Sequence, residues 1–158
     1  MRAQLDHITL AVRQGVLNPE DEAAMGFFVT GALAATPQVT GIAFVRPDLT
    51  VRRYNRSDYQ AYHEASAANL PAVTQILAGP ELRWVGPLWS APLYQPILAL
   101  HASLNGPGEG ARDLLGVIVA AVSIAELSRY MAAIADDIGQ TPFPRWARPR
   151  ARAPRACI

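Results

Sequence analysis

Six side chains have the types and spacing needed to bind a small polar ligand. They are Trp84, Trp89 and Tyr94, which lie within eleven residues, and Arg46, Arg53 and Tyr54. An arginine can hold a carboxylate through two parallel hydrogen bonds, and a tryptophan can stack on a ligand or face a cation. The alternative interpretation is that the tryptophans pack in a core and the arginines lie on a solvated face. These residues are therefore candidate ligand-binding residues, and the class of ligand stays open.

The remaining reactive side chains do not form a recognisable catalytic or metal-binding pattern. His7, His63 and His101 lack the spacing of metal ligands. The serines lack a nearby histidine and a nucleophile elbow, and the glycine-rich segment Asn105–Gly110 lacks the ending of a phosphate-binding loop. We therefore expect no enzyme activity, no metal and no cofactor.

Composition limits the architecture to one compact domain. The chain has 158 residues, a formal charge of +1 and 51% hydrophobic residues, which suffices for a packed core. Its single cysteine, Cys157, cannot form an internal disulfide. No secretory signal is visible, and the strongest apolar stretch, Leu114–Ala125, is shorter than the roughly 20 residues of a membrane-spanning helix.

The charge is distributed unevenly along the chain. Up to Phe143 there are nine arginines and thirteen acidic residues, a balance of −4, and the other five arginines fall in the last fourteen positions. An acidic body does not favour nucleic acid. We predict a folded domain over residues 1–143 and an Arg/Pro/Ala-rich disordered tail over 144–158. The tail has two interpretations: a basic segment that binds nucleic acid or anionic lipid, or GC-rich DNA read out of frame, which we favour.

The first half of the domain is predicted to contain two helices and a β-hairpin. Apolar residues at helical spacing predict a helix over about Arg2–Val16. Asn18 and Pro19 then predict the cap and first position of a second helix that runs to about Ala35. The segments 40–46 and 51–56 flank a turn candidate at 47–50 and predict two antiparallel strands, with Arg53 and Tyr54 on opposite faces.

The second half is predicted to complete an antiparallel sheet. Residues 57–77 are alanine-rich and predict a helical excursion that includes Tyr59, Tyr62 and His63, with Pro71 opening a second helical segment. Strands are predicted at 84–89, broken by Gly86-Pro87, at 96–104 and at 114–123. Ser123 and Glu126 then match a capping box, and an apolar stripe from Leu127 to Ile138 follows. The order predicts an α+β fold with helices packed to one side of the sheet.

Three stretches together resemble a known family of sensor domains. They are Thr36–Asp48 (TPQVTGIAFVRPD), Trp84–Trp89 (WVGPLW) and Leu115–Ser128 (LGVIVAAVSIAELS). In this order they resemble the Cache domains of bacterial membrane receptors, most of all those that precede adenylate or guanylate cyclase catalytic domains. The resemblance covers about Arg2–Phe143. It implies a PAS-like sheet with a ligand pocket on one face, a helical stalk over 1–35, sheet and helices over 36–143, and a site outside the inner membrane.

The resemblance also implies partners and an origin. We expect a small polar ligand such as an amino acid, a carboxylate or an amine, and a homodimer formed through the N-terminal helix. The full arginine-aromatic-aspartate signature of amino-acid-binding members is not found. We expect the chain to be a fragment that lacks its membrane anchors and output domain and meets the membrane only through those segments. The alternative is a cytosolic PAS-like or profilin-like interaction domain without a small-molecule ligand.

Overall fold

A computed structural model describes residues 1–64, 71–79, 81–107 and 113–137. The predicted tail, Ile138 and part of the glycine-rich turn lie outside these ranges. The described elements are α1 (Arg2–Arg13), α2 (Glu22–Ala35), β1 (Gly41–Val45), β2 (Val51–Asn55), β3 (Ala61–Glu64), α3 (Pro71–Ala78), β4 (Val85–Ser90), β5 (Gln95–Asn105), β6 (Leu114–Ser123) and α4 (Ile124–Asp137).

The described strands form one antiparallel sheet in the order β3-β2-β1-β6-β5-β4. The predicted hairpin is present, with Val45 paired to Val51. The predicted break at Gly86-Pro87 is a register irregularity between Val85 and Leu88 where β4 pairs with β5. The α+β fold with an antiparallel sheet and an N-terminal helix is thereby confirmed.

The two faces of the sheet carry different helices. The larger core joins α1 and α2 to one face, here called the α1/α2 face, which carries Ile42, Phe44 and Ile118. A smaller core on the opposite face, the α3 face, packs Ile76 of α3 against Val119 and its neighbours. The predicted packing on one side holds for α1 and α2, whereas α3 covers the other face.

The second helix begins three residues later than predicted. Asp21, not Asn18, caps α2, and its carboxylate accepts a hydrogen bond from the Ala24 amide at 3.0 Å. The Asn18 side chain instead accepts from the Glu20 amide at 3.0 Å and closes a turn before the helix. Asx turns of this kind compete with helical capping, which explains the displaced start.

The helix predicted around Tyr62 and His63 is wrong, because both residues lie on strand β3. The Tyr59 amide donates to the Asn55 carbonyl at 2.9 Å, and the Asp58 carboxylate accepts from the Gln60 amide at 3.0 Å. These bonds reverse the chain so that β3 pairs with the open edge of β2. Sheet pairing thus overrides the helical preference of the alanine-rich composition.

The predicted capping box at the start of α4 is half formed. The Ser123 hydroxyl accepts from the Glu126 amide at 3.3 Å, but the Ser123 amide donates to Thr40 Oγ1 at 2.9 Å. The apolar stripe of α4 is exposed at Tyr130, Met131 and Ile134. None of the helices in the described ranges combines the length and the apolarity needed to cross a membrane.

Candidate ligand-binding site

A cavity of about 90 Å³ lies on the α3 face of the sheet. Strands β1, β2, β5 and β6 line it together with α3, the end of β4 and the turn that follows β4. The cavity exists because small residues meet where β1 pairs with β6: Gly41 lies opposite Ala121, and Ala43 is next on the same face. Val119 lies opposite Ala43 and borders the cavity, whereas Val45, farther along β1, belongs to the smaller core with Ile76 of α3. We call this space the α3-face cavity.

The α3-face cavity is apolar apart from two side chains, Arg53 and Ser90. Among its described lining residues, Arg53 alone carries an ionisable side chain. Ile76 and Ile97, both buried, form part of the apolar wall. Small-molecule sites typically combine apolar walls with a few polar groups that orient the ligand. The cavity therefore has the chemistry to hold an apolar body with an anionic end at Arg53.

Asn55 and Tyr62 are among the residues that contact the Arg53 side chain. Its Nε donates to Asn55 Oδ1 at 3.1 Å, and its guanidinium carbon lies 5.6 Å from the centre of the Tyr62 ring. Tyr62 is the residue directly opposite Arg53 on β3. The Tyr62 hydroxyl donates to Asp58 Oδ2 at 2.5 Å, which raises the pKa of Tyr62 and lowers that of Asp58. Arg53 is thus held by a hydrogen bond and a cation–π contact.

Trp89 is the second predicted site residue that lines the α3-face cavity. It lies near the end of β4, and 62% of its surface remains exposed. Ser90, which follows it, is buried and also lines the cavity. Trp89 therefore lies at the rim, where its indole can cover one end of a bound molecule.

Arg46 and Tyr54 lie away from the α3-face cavity. Arg46 binds Glu20 through two hydrogen bonds of 3.1 and 2.7 Å, and the bond to Glu20 raises the pKa of Arg46. Tyr54 is 2% exposed and belongs to the core of the α1/α2 face. A Cβ on Gly26 of α2 would lie 3.8 Å from the Tyr54 ring, so the helix packs closely over it. Tyr54 thus packs beneath α2, whereas Arg46 binds the turn that precedes α2.

Trp84 and Tyr94 are also absent from the described lining of the cavity. Trp84 is 53% exposed and precedes β4, whereas Tyr94 is 83% exposed and ends the turn between β4 and β5. Of the six predicted residues, the structure brings Arg53 and Trp89 together at one cavity. The small floor residues Gly41, Ala43 and Ala121 were missed because only strand register reveals that they adjoin.

Tyr54 gives a test of the core beneath α2. Its hydroxyl is buried beside Arg52 but makes no well-formed hydrogen bond with the described atoms. We expect Tyr54→Phe to raise the free energy of unfolding at pH 7 by about 1 kcal/mol, since an unpaired buried hydroxyl is costly. Urea unfolding measures this, and a loss of stability of that size would contradict the unpaired state.

Tyr54 also predicts how the free energy of unfolding changes at alkaline pH. Burial raises the pKa of Tyr54, and the nearby Arg52 offsets part of that rise. Above about pH 10 the unfolded chain releases this proton while the folded protein keeps it, so stability falls as pH rises. Tyr54→Phe should flatten this fall in urea unfolding at pH 9 to 11, and an unchanged slope would contradict the assignment.

Solved structures with this fold include ligand-binding domains of bacterial chemoreceptors. The ligand-binding domain of the Campylobacter jejuni chemoreceptor Tlp3 in complex with 4-methylisoleucine aligns over 83% of this chain and 51% of its own, with 12% identity and a TM-score of 0.62. The ligand-binding domain of the Pseudomonas aeruginosa amino-acid chemoreceptor PctC, in complex with GABA, aligns over 83% and 56%, with 17% identity and a TM-score of 0.56.

A third neighbour comes from another receptor type. The extracellular domain of rpHK1S-Z16, described as a histidine kinase, aligns over 86% of this chain and 52% of its own, with 17% identity and a TM-score of 0.57. The chain thus spans about half the length of the solved structures that it matches. No protein-family model matches the chain, and no curated protein matches it.

These neighbours define the class of fold. Two are ligand-binding domains of chemoreceptors and the third is the extracellular domain of a histidine kinase, so the resemblance to Cache-like sensor domains is confirmed at the level of the fold. At sequence identities of 11% to 17%, the similarity between this chain and these structures shows a shared fold. The three described here are not nucleotide cyclases.

Proposed function

We propose that this chain is the ligand-sensing domain of a bacterial transmembrane signalling protein and that the α3-face cavity binds the ligand. The observation that carries the proposal is Arg53, a charged side chain oriented by Asn55 and Tyr62 in an otherwise apolar cavity. The Cache-like fold supports the same function. The cavity favours this function over that of an interaction domain without a small-molecule ligand.

The proposed ligand is a small molecule with a carboxylate and a short apolar body. Arg53 supplies the fork of donors that a carboxylate accepts from. The walls at Ile76 and Ile97 suit an aliphatic group. Neighbouring domains were solved with valine, isoleucine and GABA, all of which carry a carboxylate. At about 90 Å³ the cavity is smaller than the roughly 300–1,000 Å³ of drug-sized sites, so the ligand has few heavy atoms.

Three matched molecules test this proposal. L-valine carries both charged groups, 3-methylbutanoate is valine without the ammonium, and isobutylamine is valine without the carboxylate. We expect 3-methylbutanoate or L-valine to raise the melting temperature of dialysed protein by about 5 °C or more at saturation. Isobutylamine should have no effect, because no acidic side chain is among the described lining residues. Stabilisation by the amine alone, or by none of the three, would contradict the proposal.

The proposal extends to the whole receptor. We propose that the domain lies outside the inner membrane, that the output is an adenylate or guanylate cyclase, and that this chain is itself not an enzyme. The cyclase rests on the sequence resemblance alone. Homodimerisation through the N-terminal helix is also proposed, supported by Leu10 of α1, an apolar side chain that is 42% exposed.

A further inference from the structure

Strand β2 carries two consecutive arginines that point to opposite faces of the sheet. Arg53 lines the α3-face cavity, and Arg52 is 5% exposed beneath the segment that leads into α2. Arg52 Nη1 donates to the Pro19 carbonyl at 3.3 Å. Adjacent residues of a strand share one peptide group and point to opposite faces. A movement of the β2 backbone at Arg52 therefore also displaces Arg53.

One carboxylate, that of Glu22, joins Arg52 to the neighbouring strand. Glu22 is the first residue of α2, and its Oε1 lies 3.1 Å from His63 Nε2. Its Oε2 lies 3.9 Å from Arg52 Nε. Arg52 and His63 are direct partners in the pairing of β2 with β3. We call Glu22, Arg52 and His63 the Glu22 clasp.

The Glu22 carboxylate lies between two basic side chains, Arg52 and His63. Two cationic side chains placed directly opposite on neighbouring strands repel each other, and Glu22 offsets this when His63 is protonated. The other charged groups of this turn are engaged elsewhere, since Glu20 binds Arg46 and Asp21 caps α2. Glu22 therefore acts on this strand pair without a substitute from its own turn.

In the Glu22 clasp, Arg52 Nε and Glu22 Oε2 are too far apart for a hydrogen bond. Arg52 Nε is buried without a hydrogen-bond partner among the described atoms. Charge-assisted N–H···O bonds measure about 2.7–2.9 Å, so an approach of about 1 Å would pair it with Glu22. A small relative movement of α2 and β2 thus separates a loose clasp from a closed one.

The next residue pair on the other face is Arg53 opposite Tyr62. The spacing and twist of β2 and β3 fix the cation–π contact that orients Arg53. The clasp holds the same two strands one residue away. The clasp thus lies one residue pair away from the contact that orients Arg53.

We propose that Glu22 is a positioning residue for Arg53, and that closure of the Glu22 clasp and occupation of the α3-face cavity favour each other across the sheet. This inference rests on the proposed function of the cavity. By thermodynamic linkage, if a bound ligand favours the closed clasp, closure of the clasp strengthens ligand binding by the same factor.

Binding of 3-methylbutanoate by calorimetry tests the proposal. Glu22→Gln should weaken binding about fivefold or more, at the lower end of typical coupling. Glu20→Gln removes an equal charge from the same turn, where Glu20 binds Arg46 and not the clasp, and should change affinity less than about twofold. Equal effects of the two variants would overturn the proposal while leaving the proposed function intact.

A spectroscopic measurement separates positioning from general stability. The His63 imidazole resonances, followed by NMR at constant pH, should shift when 3-methylbutanoate is added to wild type. They should not shift in Glu22→Gln. Ligand-independent His63 resonances in the wild type would contradict coupling between cavity and clasp.

A further NMR measurement uses the protein without any ligand. The nuclear Overhauser effect between the Arg53 side chain and the Tyr62 ring should be lost in Glu22→Gln and kept in Glu20→Gln. This pattern supports positioning even if none of the three matched molecules binds, an outcome that would refute only the proposed function. Retention of the effect in both variants would overturn the role of Glu22.

Discussion

Replacing Gly116 with alanine should lower the free energy of unfolding by about 3 kcal/mol or more. Gly116 lies on β6 with φ +155°, and a Cβ there would come within 2.4 Å of Phe44 Cε2 and 2.5 Å of the Val45 carbonyl oxygen. The Phe44 ring is 1% exposed and packed in the larger core. Neither the backbone oxygen nor the enclosed ring can move aside without disturbing the pairing of β1 with β6.

Gly31→Ala is the matched control for this substitution. Gly31 lies inside α2, and a Cβ there would meet nothing within 4 Å. Alanine is the better helix former, so this variant should gain about 0.5–1 kcal/mol. Urea unfolding of both variants measures the contrast. A Gly116→Ala protein as stable as the wild type would show that β1 and β6 are not packed as described.

Replacing Arg53 with glutamine should weaken binding of 3-methylbutanoate by about 100-fold, which corresponds to roughly 2.7 kcal/mol. The carboxylate would lose its charged partner inside an apolar cavity, where an unpaired charge is costly. Arg53→Lys keeps the charge but not the two-pronged geometry and should lose an intermediate amount. Calorimetric titration gives the three affinities.

Arg13→Gln is the control for the loss of positive charge. Arg13 is exposed at the end of α1 and is not among the described lining residues of the α3-face cavity. This variant should bind 3-methylbutanoate within about twofold of wild type, because α1 packs on the opposite face of the sheet and the exposed charge of Arg13 is screened by solvent and salt. An Arg53→Gln protein with wild-type affinity would place the ligand elsewhere.

Much of the fold was predictable because its periodic patterns are strong. The alternation at 51–56 and the β-branched run at 114–123 identify β2 and β6, and the apolar spacing of Leu5, Ile8 and Val12 identifies α1. Strand β3 was missed because a four-residue strand is stabilised mainly by its partner. Pairing with a distant edge leaves little trace in local composition.

The candidate site was predictable only where single residues carry chemistry. Arg53 was a candidate because a guanidinium can hold a carboxylate through two hydrogen bonds, and Trp89 because an indole can stack on a ligand. Alternation already placed Tyr54 on the face opposite Arg53, but which face holds the cavity depends on where α3 packs. The cavity itself arises from small residues on two strands whose register is a property of the assembled sheet.

The most direct test of the central claim is an NMR titration of isotope-labelled protein with 3-methylbutanoate. If the α3-face cavity binds the ligand, the methyl resonances of Ala43, Ala121 and Ile97 and the Nε–H resonance of Arg53 will shift together and saturate. Contacts between ligand methyls and Ile97 will appear in the bound state. Absence of these shifts at saturating ligand, or shifts confined to the α1/α2 face, would contradict the account.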